Sequence, residues 1–161
     1  MQIAVRDAVP STPPAPVDFR LDERAALEFR FALRDAQAAL QQALDQRLAP
    51  RGLTGVQATV LDALRRHPGE NLAEIGATLR IDAPAMSRHA ARLEARGLCL
   101  RFRPRGDRRA VRVELLPRGV ALAEEFPRLL AEVTDQAFAG FEPAERALLL
   151  GALRRMLAAG G

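Results

Sequence analysis

The arginines of this chain are the residues best suited to chemistry, because they are concentrated in one stretch. The 161 residues include 24 basic ones, all of them arginine. Ten arginines and three carboxylates lie between Arg80 and Arg112, so this stretch carries a charge of +7 and the rest of the chain carries −3. The guanidinium group is a planar fork of donors that fits phosphate oxygens and guanine edges. A basic stretch in an otherwise acidic chain indicates a polyanionic partner, although a solvated charged surface can have the same composition.

The spacing of residues 81–97 predicts a short helix that presents some of these arginines on one face. Asp82 is a favoured N-cap, and Ile81 and Met86 are placed to pack across the first turn. At about 100° per residue, apolar residues share one face, whereas small residues and arginines share the opposite one. The apolar face is Met86, Ala90, Leu93 and Gly97, and the opposite face is Pro84, Ala85, Arg88, Ala91 and Arg92. Small residues let a helix approach a surface closely, so this pattern is typical of a helix in a DNA major groove.

Six residues of this helix are predicted to contact DNA. They are Pro84, Ala85, Ser87, Arg88, His89 and Arg92. Ser87 can hydrogen-bond a phosphate or a base. His89 lies at the flank of the groove face, where its position is compatible with a DNA contact and equally with simple solvation.

Two alternating segments after this helix predict a β-hairpin. Leu98, Leu100 and Phe102 alternate with charged or smaller residues, and a second alternation runs from Val111 to Leu115, as in half-buried strands with an apolar inner face. Residues 104–107 form the turn, which places positive charge near the tip. A helix followed by a basic hairpin is the winged helix-turn-helix arrangement. Its predicted wing contacts include Arg105 and Arg108.

Five further helices are predicted around this unit. A long amphipathic helix covers about residues 20–48, and two capping boxes, one at Thr54 with Gln57 and one at Asn71 with Glu74, start two shorter helices. After the hairpin, one helix covers about residues 117–138 and another begins at Pro143. The predicted fold class is therefore mainly α with a small β-hairpin: a winged helix-turn-helix with N- and C-terminal dimerisation helices.

The apolar faces of the first and the last two helices are broad for a chain of this size. We therefore expect two copies of the chain to share them in a homodimer, and the alternative is that these helices pack only on their own domain. The expected organisation is a flexible proline-rich arm at 1–19, an N-terminal helix of the dimerisation region at 20–53, a DNA-binding domain at 54–116 and C-terminal dimerisation helices at 117–161.

Catalytic and metal-binding groups are scarce in the sequence. It has two serines and two histidines, and Ser87 and His89 point to different sides of one helix, so no nucleophile–base pair and no enzyme activity is predicted. No spacing of histidine, cysteine and carboxylates is typical of a metal site, and no cofactor is expected. No apolar run is long enough for a membrane span and no signal peptide is apparent, so a cytoplasmic location is expected. The single cysteine, Cys99, is interpreted as a structural thiol.

Five short motifs in order resemble the MarR family of bacterial transcription regulators. They are L-T-x-x-Q at 53–57, S-R at 87–88, L-E-x-x-G-L at 93–98, D-x-R at 107–109 and L-x-P-x-G at 115–119, and the resemblance covers about residues 20–158. It implies an intertwined homodimer that binds pseudo-palindromic double-stranded DNA and usually releases it when a small molecule or oxidant is sensed. It also implies that Arg109 reaches the minor groove at the wing tip and that Asp107 helps to hold the wing. Where the family usually has a small hydroxyl residue, this chain has Leu116.

The sequence therefore predicts a homodimeric, sequence-specific transcriptional regulator, a repressor that a small aromatic acid or phenol releases from its operator. The ligand is expected in an apolar cleft where the long helix, the helix of residues 54–67 and the helix after the wing converge. The candidate partners of its acidic group are Arg24, Arg30 and Arg34. Two alternatives remain: a winged-helix architectural or protein-interaction module without a ligand switch, and a redox-sensing regulator based on Cys99.

Overall fold

The structure is a computed structural model that describes residues 22–105 and 110–159. These residues form six α-helices, a short 3-10 turn and one two-stranded antiparallel sheet, so the predicted fold class is confirmed. In chain order the elements are α1 (Glu23–Leu48), the 3-10 turn (Ala49–Arg51), α2 (Gly55–Arg66), α3 (Leu72–Leu79), α4 (Ala83–Ala95), β1 (Cys99–Phe102), β2 (Arg112–Leu115), α5 (Pro117–Ala137) and α6 (Pro143–Ala159). The proline-rich arm at 1–19 lies outside the described residues.

The chain divides into two compact units, residues 1–36 and 37–161. In the first unit, the described residues belong almost entirely to the N-terminal part of α1. The second unit contains the rest of α1, all the other elements and the hydrophobic core. Leu61 of α2, Ile75 of α3 and Leu93 of α4 are buried at the centre of this core. The core therefore joins the helices that precede the hairpin to the one that follows it.

Side-chain caps fix where three helices begin, as the sequence predicts. Thr54 Oγ1 accepts from the Gln57 backbone N–H at 3.3 Å, and Gln57 Oε1 accepts from the Thr54 N–H at 3.1 Å. Asn71 and Glu74 form a second capping box with distances of 2.9 and 3.1 Å. Asp82 accepts from a backbone N–H in the first turn of α4 at 2.7 Å. Because each cap contributes about 1 kcal/mol, local sequence defines the starts of α2, α3 and α4.

The C-terminus of α4 forms a Schellman motif. Gly97, with a φ of 66°, donates its N–H to the Glu94 carbonyl at 2.8 Å, and Leu98 donates to the Leu93 carbonyl at 3.1 Å. Leu93 and Leu98 are both buried and supply the hydrophobic contact that accompanies this motif. Gly97 itself is exposed just beyond the helix, so its predicted place on the apolar face is wrong.

The C-terminus of α3 forms the same motif with an arginine in the position of the glycine. Arg80 donates its N–H to the Ala77 carbonyl at 3.1 Å, and Ile81 donates to the Gly76 carbonyl at 2.9 Å. Arg80 has a φ of 55° and is the single non-glycine residue with a positive φ in the part of the chain that the structure describes. Left-handed backbone costs a residue with a Cβ atom roughly 1–2 kcal/mol, so this turn is strained where the turn after α4 is not.

The hairpin has the predicted strands, but the inner face of β1 is opposite to the prediction. In the antiparallel register, Cys99 lies across from Leu115 and Phe102 lies across from Arg112. Cys99 is fully buried, whereas Leu100 and Phe102 are 49% and 46% exposed. The prediction that these two residues face inward is therefore wrong. In β2 the prediction is confirmed, because Val113 is buried.

The end of α4 explains the reversed face of β1. Leu98 belongs to the Schellman motif, so the strand begins one residue later, with Cys99 directed into the core. Arg101 is then held on the inner side by Glu94, whose carboxylate accepts from the Arg101 backbone N–H at 2.8 Å and from its Nε at 2.7 Å. These bonds lower the pKa of Glu94, with the backbone bond as the larger cause. The carboxylate also occupies a donor on the open edge of β1, which protects that edge from pairing with other strands.

The helices after the hairpin leave much apolar surface exposed. In α5 the buried positions include Phe126, Leu129 and Val133, whereas Leu130 is 41% exposed and Ala137 is also exposed. Leu130 and Ala137 share the helical spacing of Phe126 and Val133 but are not covered within one chain. Leu129 and Leu130 are adjacent leucines, and spacings of three and four residues both suit a helix face.

A set of polar contacts ties the end of α4 to α5 through the 3-10 turn. Arg96, which follows α4, donates from Nη2 to the Arg51 carbonyl at 3.1 Å. The Arg51 guanidinium in turn pairs with both carboxylate oxygens of Glu125 on α5, with its Nε at 2.8 Å from one of them. The hydrogen bond between these two side chains raises the pKa of Arg51 and lowers the pKa of Glu125, so both remain charged.

Gly119, the last residue of the L-x-P-x-G motif, allows α5 to lie against the chain just before β1. A Cβ atom at this position would lie 2.0 Å from the Leu98 carbonyl oxygen, which already accepts the Leu116 N–H at 3.0 Å. Leu116 is the N-cap of α5 and forms no side-chain cap. The Leu98 carbonyl therefore satisfies the N–H of the N-cap residue itself, as the side chains of Gln57 and Glu74 do at the starts of α2 and α3.

We expect Gly119→Ala to destabilise the fold by about 1–3 kcal/mol or more, because the added methyl group requires a backbone shift. The matched control is Gly151→Ala in α6, where a Cβ atom meets only a flexible arginine side chain at 3.6 Å. This control should be neutral or stabilising by up to about 1 kcal/mol. Urea unfolding of both variants measures the difference, and equal free energies of unfolding would contradict the close approach of α5 to Leu98.

Candidate nucleic-acid interface

The outer face of α4 carries the predicted contacts in an exposed, unpaired state. Pro84, Ser87, Arg88 and Arg92 are exposed, and Ala85 is half-buried. Neither arginine forms an ion pair or a side-chain hydrogen bond with any described residue. The single acidic residue within α4 is Glu94, which is bonded to Arg101. The guanidinium donors of Arg88 and Arg92 are therefore available to phosphates or base edges.

Packing on the inner side fixes the rotation of α4 about its axis. Met86, Ala90 and Leu93 are at most 1% exposed, as predicted from their spacing. The Asp82 cap holds one end of the helix and the Schellman motif holds the other. Because both ends and one face are fixed, the arginines on the other face project in a defined direction.

His89 lies at the border between the two faces and is half-buried. Its Nδ1 is buried and has no hydrogen-bond partner among the described residues. Burial lowers the pKa of His89, and the neighbouring charges of Arg92 and Arg88 lower it further. The ring is therefore neutral at neutral pH and adds no positive charge to the helix, and it is not a freely solvated side chain.

The hairpin is held against α3 and α4 at its base. Leu72 donates its N–H to the Val111 carbonyl at 2.8 Å, and Asn71 forms a β-bridge with Arg112. On the other edge, Glu94 holds Arg101. The wing thus continues the surface that α4 presents.

The tip of the wing lies partly outside the described residues. Arg105 is exposed. Asp107, Arg108 and Arg109 fall within residues 106–109, outside the described part, so their contacts with DNA stay predictions. Sequence spacing did not single out Arg103 and Arg112, which are exposed and have no acidic partner among the described residues. The outward direction of Arg112 agrees with the alternation predicted for residues 111–115.

Cys99 has the properties of a structural thiol. It is fully buried, and its Sγ lies 3.9 Å from the Ala90 carbonyl oxygen as a hydrogen-bond donor. Burial, assisted by the negative charge of Glu94, raises its pKa to about 11. A redox-sensing cysteine needs an accessible thiolate with a lowered pKa, and Cys99 has neither property.

The three candidate ligand arginines of α1 are all exposed but differ in their partners. Arg24 pairs with Glu28 at 2.9 Å, and Arg34 pairs with Asp35 at 2.7 Å while lying 5.0 Å from the centre of the Phe31 ring. Arg30 has no ion-pair or hydrogen-bond partner among the described residues. Arg30 is therefore the one of the three whose guanidinium needs no rearrangement to bind an anion.

Two other kinds of site were sought in residues 22–105 and 110–159. No group of three or more histidine, cysteine, aspartate or glutamate residues there could hold a metal ion. None of the helices in these residues is sufficiently long and apolar to cross a membrane.

A helix that follows a tight helix–turn connection, exposes unpaired arginines and leads into a hairpin defines a winged helix-turn-helix DNA-binding protein. The sequence model of the MarR family matches residues 51–110. The chain is also 32% identical over 117 residues to NicR, an HTH-type transcriptional repressor of Pseudomonas putida, and the match covers 73% of this chain and 71% of NicR. The chain belongs to the MarR family of transcriptional regulators.

Solved structures of similar proteins extend the match to almost their full length. BpsR of Bordetella bronchiseptica, whose DNA binding is regulated by 6-hydroxynicotinic acid, is 32% identical with a TM-score of 0.73, and the match covers 80% of this chain and 98% of BpsR. CouR, a transcriptional repressor solved on a 23-mer DNA duplex, is 31% identical with a TM-score of 0.74, and the match covers 86% of this chain and 99% of CouR. The helices on both sides of the winged unit therefore belong to the shared fold.

We expect Arg88→Ala to weaken binding to a preferred duplex by about 1–3 kcal/mol and to relax the preference at one base position, because Arg88 lies at the centre of the exposed face. Fluorescence anisotropy with a duplex selected from a random library, and with its single-base variants, measures both effects. The matched control is Arg128→Ala, which removes the same charge from an exposed position on α5. If Arg88→Ala and Arg128→Ala bind with the affinity of the wild type, α4 does not read the groove.

Proposed function

We propose that this chain is a homodimeric repressor that binds a pseudo-palindromic operator and releases it when a small aromatic acid or phenol binds. The observation that carries the DNA-binding part is the exposed face of α4, where Arg88 and Arg92 have no acidic partner among the described residues. Two unpaired guanidinium groups on one face of a helix can bind the regularly spaced phosphates of DNA.

Dimerisation is supported by apolar surface that one chain leaves uncovered. No residue of α6 is buried, and Leu148 is 71% exposed. Leu149, Leu150 and Leu157 of the same helix are also large, apolar and exposed. Large apolar side chains exposed in this number on one helix are typical of an interface, and we propose that a second copy of the chain covers them. Residues 20–53 and 117–161 would then form the dimerisation region.

The symmetry of such a dimer has a consequence for the operator. Two copies of α4 related by a two-fold axis would enter successive major grooves on one side of the duplex. Arg109, at the tip of the wing, would add a contact in the neighbouring minor groove. Repression, as opposed to activation, is proposed because NicR and CouR are both repressors.

The ligand class is proposed from a relative and from α1. BpsR responds to 6-hydroxynicotinic acid, which is an aromatic ring with a carboxylate and a hydroxyl-type substituent. A carboxylate requires a cation, and Arg30 is the unpaired arginine among the three candidates of α1. We therefore propose Arg30 as the partner of the ligand's carboxylate.

The buried Cys99 argues against the redox alternative, since its raised pKa disfavours the thiolate that reacts with peroxide. A winged-helix module without an operator of its own differs from our proposal in one measurable property. Such a module would bind duplex DNA without preferring one sequence over competitor DNA.

The operator is expected to be an inverted repeat whose half-site centres lie about 10 base pairs apart, one turn of the duplex. Footprinting of DNA upstream of the gene, together with light scattering of the free protein, measures the repeat and the dimer. Leu148→Glu places a charge in the exposed apolar surface of α6, so it should lower the mass of the protein in solution and abolish the footprint together. A monomeric wild type that protects a single half-site would refute the dimeric arrangement.

Aromatic acids, and not peroxide, are expected to release the DNA. Titration of the protein–operator complex with 6-hydroxynicotinic acid, and with a phenol that lacks a carboxylate, measures the response. Arg30→Gln should keep the wild-type affinity for DNA. The concentration of acid that releases the DNA should rise about tenfold, because the variant loses a charge-assisted hydrogen bond to the ligand. Arg24→Gln, whose arginine is paired with Glu28, is the matched control and should respond as the wild type does.

A second arm of this experiment addresses redox control. The contrary result would be that peroxide releases the wild-type protein from the operator, that dithiothreitol reverses this release and that Cys99→Ala does not show it. This result would overturn the ligand mechanism in favour of cysteine oxidation. Cys99→Ala is preferred to a serine variant because a hydroxyl in this buried position would need a hydrogen-bond partner.

A further inference from the structure

Arg80 has a left-handed backbone conformation, which glycine would adopt without strain. The ends of α3 and α4 are the same Schellman motif, and the left-handed position is Gly97 in one and Arg80 in the other. Nothing in the backbone geometry of the first turn calls for a side chain, since the hydrogen bonds at this turn come from the backbone N–H groups of Arg80 and Ile81. An arginine retained in such a position indicates that its side chain has a function.

The side chain of Arg80 forms no polar contact with any described residue. It is exposed and has no hydrogen-bond or ion-pair partner among them. The two carboxylates closest to Arg80 in the sequence serve as helix caps: Asp82 accepts from the first turn of α4 at 2.7 Å, and Glu74 accepts from the Asn71 N–H at 3.1 Å. Arg80 is thus a cation without an ion-pair partner in the part of the chain that the structure describes.

The position of Arg80 in the chain is the connection that leads into α4. It precedes the first residue of α4, Ala83, by three positions. When the N-terminal part of such a helix lies in a major groove, the preceding helix and turn pass over the sugar–phosphate backbone at the edge of the groove. A long cationic side chain at this point is placed to reach phosphate oxygens at the edge of the groove.

We propose that Arg80 binds a phosphate of the operator backbone beside the entry of α4 into the groove and so sets the register of α4 along the duplex. This inference rests on the DNA binding proposed above. The contact would carry no sequence information, because all phosphates present the same oxygens. It would add to both specific and non-specific binding.

The test compares Arg80→Gly, Arg80→Asn and Arg80→Lys with the wild type. Arg80→Gly should raise Tm by about 2–4 °C at equal protein concentration, since it removes the strain of the left-handed residue. The same variant should bind an operator duplex and a random duplex less tightly by the same factor, about tenfold per contact at 0.1 M salt. The slope of log affinity against log salt should fall by about 0.9 for each bound protomer. Higher stability together with weaker binding separates a lost contact from a damaged fold.

The other two variants control for charge and backbone. Arg80→Asn tolerates the left-handed conformation without the charge and should lose binding as Arg80→Gly does, whereas Arg80→Lys should keep the salt slope of the wild type. If the neutral variants keep the wild-type slope, or if they lose affinity only for duplexes with a particular base, Arg80 is not a phosphate contact. A wild type that shows no salt-dependent binding to any duplex would instead overturn the DNA-binding function itself.

Discussion

The hydrogen bonds from Arg101 to Glu94 connect α4 to the hairpin, and the surface proposed to bind DNA depends on this junction. The carboxylate accepts from both the backbone and the side chain of Arg101, at 2.8 and 2.7 Å. Just beside it, the Schellman motif turns the chain from helix to strand through Gly97 and buries Leu98. The motif L-E-x-x-G-L therefore has a physical meaning at each named position. Its leucines pack together, its glutamate holds the strand and its glycine supplies the left-handed turn.

The parts of the fold that follow from local chemistry could be predicted from the sequence. Each capping box joins two residues that lie three positions apart, namely Thr54 with Gln57 and Asn71 with Glu74. The interaction that starts each helix is therefore contained in a short stretch of sequence. The inner face of α4 was predicted for the same reason, because the spacing of Met86, Ala90 and Leu93 matches one helix period.

The parts that depend on neighbouring elements could not be predicted. The inner face of β1 is decided by how α4 ends, and a shift of one residue exchanges the two faces of a strand. The conformation of Arg80 carries no signal in the sequence, because arginine rarely takes a positive φ. In α5, adjacent leucines at 129 and 130 fit the helix period equally well, and only the packing of α5 distinguishes them. The candidate site followed the same division. The directions of Arg88 and Arg112 follow from the periods of a helix and a strand, whereas the half-buried position of His89 depends on the packing around α4.

The contacts of Arg51 give α4 a mechanical connection that its position in the sequence does not suggest. Arg96 donates a hydrogen bond to the Arg51 carbonyl, and the Arg51 side chain donates to Glu125 on α5. Arg51 thus connects the C-terminal end of α4 to α5. A rotation of α5 about its axis would therefore be transmitted to the C-terminal end of α4, while the Asp82 cap holds the opposite end. The outer face of α4 would then tilt, and even a small displacement of α5 would change the angle at which Arg88 and Arg92 are proposed to meet the duplex.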